Sequence, residues 1–385
     1  MNGADTAWII VATALVLFMT LPGLALFYAG LVRARNVLSV LMQCVSIACL
    51  MSLVWLVAGY SIAFGGDGAV WGGLSKAFLL GVDAESLSGT IPEVLFFAFQ
   101  MTFAIITPAL IVGAYVERIG FGFVLLFSSF WMLLCYAPVA HWVWGGGWLA
   151  AMEVKDFAGG IVVHETAGLA ALVLALMLGR RSEARPPHNP GYVMIGASML
   201  WVGWFGFNAG SQLAADGGAA MALVVTHLSA ATASLTWAAW EKIKFGKASM
   251  VGLVTGTIAG LASITPASGF VGPVEAVLIG GIAGVLCQWA VRLIKETFEI
   301  DDTLDVFAVH GVGGIFGTLM IGVLGKGSLG AQVVALLAVG VFTIVVTFLV
   351  AKLTAVFVPM RVSKEDEIEG LDYTAHGERA YEFES

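Results

Sequence analysis

Charge is what this sequence has least of. Of its 385 residues, 11% are Asp, Glu, Lys or Arg, against about 25% in an ordinary soluble domain. So few charges cannot cover the water-facing surface of a chain this long. With 59% hydrophobic residues and a mean hydropathy of +0.94, the shortage excludes a soluble globular protein and points to a polytopic membrane protein. Basic runs are also missing. The net charge of −8 comes partly from the acidic end of the chain, and nucleic acid is not an expected partner. Cysteine is sparse: Cys44, Cys49, Cys135 and Cys287 fall in apolar stretches without disulfide or metal spacing. Neither a metal nor another cofactor is expected, and an enzyme is not indicated. The opening residues MNGADTAWII carry no basic segment, so they are expected to begin a first span rather than a cleaved signal.

Long apolar runs are present instead. Eleven are long enough to cross a bilayer as helices of about 20 residues: 7–32, 37–64, 94–115, 121–140, 158–179, 192–211, 219–240, 249–265, 274–297, 305–324 and 331–359. They are continuous rather than alternating, which argues against a β-barrel. The 48 glycines suit close helix approach within a membrane. The fold class is therefore an all-α polytopic bundle, with residues 1–360 as the membrane domain and 361–385 as a polar tail.

Basic residues orient the bundle. Arg33, Arg35, Arg118, Arg180, Arg181, Arg185, Lys242, Lys244, Lys247, Arg292 and Lys295 follow odd-numbered spans, whereas Lys76, Lys155 and Lys326 follow even-numbered ones. The positive-inside rule predicts an N-terminus outside and a C-terminus in the cytoplasm, which requires an odd number of spans.

Two histidines, His164 and His310, sit inside apolar runs, where an imidazole is costly and usually functional. DFAGGIVVHETAG (156–168) aligns with DTLDVFAVHGVGG (302–314), placing Asp156 over Asp302, His164 over His310 and Gly168 over Gly314. Phe27-Tyr28-Ala29-Gly30 likewise matches Phe207-Asn208-Ala209-Gly210. Spans 1 and 6, and spans 5 and 10, are therefore equivalent. Five spans per half is an odd number, so the halves are inverted repeats, which place a substrate path between them. Span 11 lies outside the repeat. The two imidazoles are expected to meet where the halves face each other.

ALFYAGLVRARN, AHWVWGGGWLA, DFAGGIVVH, GWFGFNAGS, GTIAGLASITPASGF and DVFAVHGVGG together resemble the ammonium transporter (Amt/Mep/Rh) family, of the bacterial and archaeal Amt type, from about Ala7 to Tyr381. The resemblance implies eleven helices per subunit, a homotrimer in the cytoplasmic membrane, and one narrow pore for ammonium or ammonia in each subunit. It implies an outer recruiting vestibule of Trp144, Phe103 and Ser211, a gate of Phe103 and Phe207, and a lumen lined by Phe27 and the twin histidines His164 and His310. An aromatic face and a hydroxyl suit a small cation. Two neutral imidazoles suit ammonia and can relay a proton. Asp156 is read as a structural carboxylate near the site.

Glu165 and His227 depart from the family pattern. They are ionisable, complementary and at membrane depth, so a hydrogen-bonded pair is an expectation to test. Adjacent helix positions point about 100° apart, so Glu165 is expected to face away from the pore. The tail matches the family at Glu369-Gly370-Leu371-Asp372, His376-Gly377-Glu378 and Tyr381, which implies packing on the cytoplasmic face and a docking site for a PII-type regulatory protein. The alternative function is an ammonium sensor that signals through the tail.

Overall fold

The computed structural model describes residues 1–381; residues 382–385, the last of the predicted tail, lie outside them. Backbone in hydrocarbon has no water to bond, so each segment must close its own hydrogen bonds, and the apolar runs fold as helices. Among the described residues nine are long spans: Gly3–Leu31, Val37–Phe64, Glu93–Tyr115, Phe121–Ala151, Gly160–Leu178, Pro190–Gly210, Gly217–Phe245, Pro273–Thr297 and Leu329–Phe357. Two shorter apolar helices, Met250–Ile264 and Phe307–Val323, are spans 8 and 10 and complete the predicted eleven. The largest boundary difference is at span 4, expected to stop at 140. Its helix continues to Val143, turns at Trp144, and resumes over Trp148–Ala151. His141, one residue past the expected end of that span, is therefore helical and buried, with its ring nitrogens against the carbonyls of Ala63 and Gly68.

The halves interlock through glycines. Spans 1 and 6 cross antiparallel: a Cβ on Gly203 would stand 2.4 Å from the Met19 Cβ, and one on Gly206 2.6 Å from the Leu15 Cβ. Spans 5 and 10 repeat the device reciprocally. A Cβ on Gly168 would lie 2.3 Å from the Gly311 Cα, and one on Gly314 would lie 2.7 Å from the His164 Cβ. Each of these glycines lies one helical turn beyond its own histidine and receives the other half's histidine segment, as inverted repeats about a common axis require. Gly168→Val is expected to force the two backbones apart. Overpacking of this kind costs about 1–3 kcal/mol or more, so a lower thermal unfolding midpoint in detergent is the expected outcome; an unchanged midpoint would contradict this crossing.

Both histidines stand on wide π-helical turns, Gly160–Glu165 and Phe307–Gly311, a local geometry frequent at functional sites. Each segment begins at a capping carboxylate. Asp156 accepts from the backbone N–H groups of Gly159, Gly160, Ile161 and Val162 at 2.6–3.1 Å. Asp302 accepts from Val306 and Phe307 at 3.1 and 2.7 Å. The neighbouring carboxylates do not cap: Asp301 pairs with Arg181 at 2.9 Å and Asp305 with Lys295 at 2.7 Å.

The face that carries the odd-span loops is the basic face, and the tail packs along it. Glu117 joins Arg33 at 3.3 Å, Asn36 at 3.1 Å and Arg181 at 2.8 Å. The short tail helices Lys364–Glu369 and Leu371–His376 follow. Asp372 accepts from the Ser39 N–H at 2.8 Å, the Asn36 side-chain Oδ1 accepts from the Leu371 N–H at 2.8 Å, and Glu367 pairs with Arg361 at 2.8 Å. Burial works against the charged form of both Asp301 and Glu367, yet Arg181 and Arg361 respectively hold their carboxyls below the ordinary range.

Candidate functional site

Three cavities follow one another through the bundle. The first opens on the face opposite the tail and has a volume near 390 Å³; its lining includes Gln100, Phe103, Trp144, Lys155, Asp156 and Ser211. The Trp144 indole donates to the Asp156 carbonyl at 2.8 Å, so the residue that caps span 5 also fixes the indole. Trp144 meets Phe103 edge-on at 6.0 Å between ring centroids. The Ser211 hydroxyl donates to the Phe207 carbonyl at 2.8 Å. Its proton is thereby engaged and its oxygen lone pairs remain, which is an acceptor suited to a cation.

Phe103 and Phe207 close the floor of this cavity, with centroids 4.4 Å apart and both rings buried. Below them is a narrow lumen lined by Phe27, Leu110, His164, Trp204, Phe207 and His310, among others, with about 10 Å³ of free volume. That is roughly one water's worth of space, enclosed mostly by apolar side chains. Phe27 and His310 also border the third cavity, near 240 Å³, which leads to the basic face past Tyr28, Arg181, Lys295 and Asp305. Of these three cavities His164 borders the lumen alone, so the order along the path is Phe103, Phe207, His164, His310. Phe27 and Phe207, equivalent in the repeat, close opposite ends of the lumen.

The imidazoles face each other Nδ1 to Nδ1 at 3.2 Å, with rings 18° from parallel. Two nitrogens at that distance share one proton, one donating and the other accepting. If both rings are neutral, their tautomers must be opposite. One Nε2 then carries a proton and the other a lone pair, so the pair offers the lumen both a donor and an acceptor. The His164 Nε2 has no partner among the described residues.

All the pore residues expected from the sequence lie along this path. Trp204 was not anticipated. It stacks on His164 at 5.5 Å between centroids and 18°, anchored by its indole N–H to the Thr265 hydroxyl at 2.8 Å. Its position in span 6, equivalent to Leu24 of span 1, was the available signal. Gln100, Lys155, Phe157 and Phe270 were also unforeseen in the first cavity.

The expected pairing of Glu165 with His227 does not form. Glu165 is buried beside Gly340 of span 11, and its Oε2 has no partner among the described residues. His227 is exposed on span 7, against Trp201 and Phe205 with centroids at 5.2 and 6.1 Å. Glu165 does face away from the lumen, as the 100° step requires, but that rotation aims it at span 11 rather than span 7.

A family model described as the Ammonium Transporter Family matches residues 7–381. A Bacillus subtilis ammonium transporter is 45% identical over 402 residues, covering 99% of each chain. The crystal structure of Candida albicans Mep2 superposes with a TM-score of 0.88 at 35% identity, covering 95% of this chain and 88% of that one. A structure titled "Sensor Amt Protein" gives a TM-score of 0.90 at 30% identity, covering 97% and 98%.

Proposed function

Because the chain belongs to the ammonium transporter family, we propose that it recruits ammonium at the Trp144–Phe103–Ser211 vestibule and passes it as ammonia along the twin-histidine lumen. The observation that carries this reading is the imidazole pair within a space of about 10 Å³. A bare cation is costly to bring into such a space, by several kcal/mol or more. The ion therefore gives up its proton to water of the open first cavity, before or at the Phe103–Phe207 gate. The neutral molecule then meets one imidazole acceptor and one donor. Potassium has no proton to lose, and the lumen rejects it. A proton accepted at the free Nε2 of the pair moves across the Nδ1 bridge and leaves from the other Nε2, so the same rings can also relay charge.

The recruiting face is taken as the outer one and the basic face as cytoplasmic, since basic loops are retained inside. The membrane is taken as the cytoplasmic membrane, with 1–360 as the transport domain and 361–385 as a cytoplasmic tail. The family likeness favours a homotrimer; His227, exposed at a depth where imidazole is disfavoured in lipid, is a polar residue that a neighbouring subunit would shelter. The docked tail supports a PII-type regulatory protein as a partner on the cytoplasmic face.

Purified protein in proteoliposomes tests the reading. Methylammonium uptake should rise with protein content, and an ammonium pulse across a lipid bilayer should give a current if the proton is relayed. Trp144→Leu and Ser211→Ala should each raise the KM for methylammonium, by about 2- to 30-fold for a lost contact worth roughly 0.5–2 kcal/mol. An unchanged KM in both variants would remove the vestibule from the mechanism. The likeness to the structure titled "Sensor Amt Protein" favours one second reading, binding with little flux. It predicts methylammonium binding without uptake.

A further inference from the structure

We propose that Lys155 is a resident cation of the recruiting vestibule and sets how tightly it holds an arriving ammonium ion. This inference rests on the vestibule reading above. Lys155 lines the same cavity as Trp144, Phe103 and Ser211. Its ammonium stands 5.0 Å over the Phe270 ring, and Phe157 meets Phe270 edge-on at 5.7 Å. These two rings form a second aromatic lobe, and the lysine head group occupies it.

The position of Lys155 is fixed by its surroundings. Its backbone is held on both sides by Gln332 of span 11, which accepts from the Lys155 N–H at 2.9 Å and donates to its carbonyl at 2.6 Å. Its Nζ donates to the Lys326 carbonyl at 2.5 Å. No carboxylate pairs with Lys155 among the described residues. Glu275 pairs with Lys326 at 2.9 Å, and the Asp156 carboxylate is engaged by four backbone N–H groups. A primary alkylammonium, chemically close to methylammonium, is thus tethered where a second substrate cation would sit. Its charge opposes the first one.

The size of the effect follows from Coulomb's law. A unit charge about 10 Å away, at an effective dielectric of about 25–50, changes cation affinity by roughly three- to tenfold. Lys155→Gln in the full-length protein is therefore expected to lower the KM for methylammonium uptake into proteoliposomes by about that factor. Lys155→Arg keeps the charge and should stay near wild type. Added impermeant salt should lower the wild-type KM more than that of Lys155→Gln, because screening weakens repulsion only where the lysine remains. Lys155→Met serves if the glutamine variant does not fold, as judged by size exclusion.

The comparison with Trp144→Leu separates the two readings. If Trp144→Leu raises KM while Lys155→Gln leaves it unchanged or raises it, the vestibule stands and the role of Lys155 is overturned. Equal shifts in Lys155→Gln and Lys155→Arg would trace the effect to the lost Lys326 tether, and would also overturn it. If Trp144→Leu and Ser211→Ala both leave KM unchanged, the vestibule falls and the role of Lys155 falls with it.

Discussion

Methylammonium uptake is expected to fall about 100-fold or more when either His164 or His310 is replaced by alanine, a change of about 2.7 kcal/mol in the barrier. Two effects combine. Truncating one ring leaves the other Nδ1 buried and unpaired, at about 1–3 kcal/mol. It also removes either the donor or the acceptor that the pair presents to the lumen, and a molecule that has shed its water then crosses the narrowest segment with half its partners missing. Of the three cavities His164 borders the lumen alone, whereas His310 also borders the cavity toward the basic face. His164→Ala should therefore cut uptake at least as deeply as His310→Ala. Any ammonium-evoked bilayer current should vanish in both, because a one-ring lumen has no Nδ1 bridge for the proton to cross. Uptake within a few-fold of wild type in either folded variant would show that passage does not depend on the pair.

Which parts of this site could be read from the sequence depends on whether the chemistry repeats. The Asp-to-His spacing occurs twice because both segments solve one local problem: a carboxylate starts a helix that must carry an imidazole to the axis. Asp156 and Asp302 both cap, and their histidines meet 3.2 Å apart. The eleven spans were legible for a similar reason, since each needs an apolar run of bilayer length. Spans 8 and 10 are the shorter helices, Met250–Ile264 and Phe307–Val323.

The remaining features depend on which helices are neighbours. Phe157 and Phe270 are two of 24 phenylalanines, and nothing local marks them as lining one cavity. Glu165 and His227 appeared complementary, but charge complementarity carries no lateral information: span 5 turns Glu165 toward Gly340 of span 11, while His227 lies against Trp201 of span 6. His141 falls one residue past the apolar run 121–140, which puts it in a loop. In the structure its imidazole instead ties the end of span 4 to the carbonyls of Ala63 and Gly68, a contact between segments far apart in the chain.

Asp156→Asn is expected to destabilise the folded protein by about 3–5 kcal/mol, within the range for breaking a buried charged hydrogen-bond network. The carboxylate accepts four N–H bonds, two at each oxygen. An amide keeps only one acceptor atom and aims its NH2 at two donors, so two bonds are lost and two buried donors are left unmade. At Asp302 each oxygen takes a single N–H, and the equivalent Asp302→Asn change loses one bond, about 1–3 kcal/mol. The unfolding midpoint in detergent should therefore fall further for Asp156→Asn than for Asp302→Asn, although the two positions are equivalent in the repeat. The difference should extend to binding. The Asp156 carbonyl holds the Trp144 indole at 2.8 Å, so loosening the cap is expected to free that ring and raise the KM for methylammonium, whereas among the described residues the Asp302 carboxylate bonds only the backbone of Val306 and Phe307. Equal loss of stability in the two variants, or a loss at Asp156 with KM unchanged, would mean that the cap does not position the mouth of the pore.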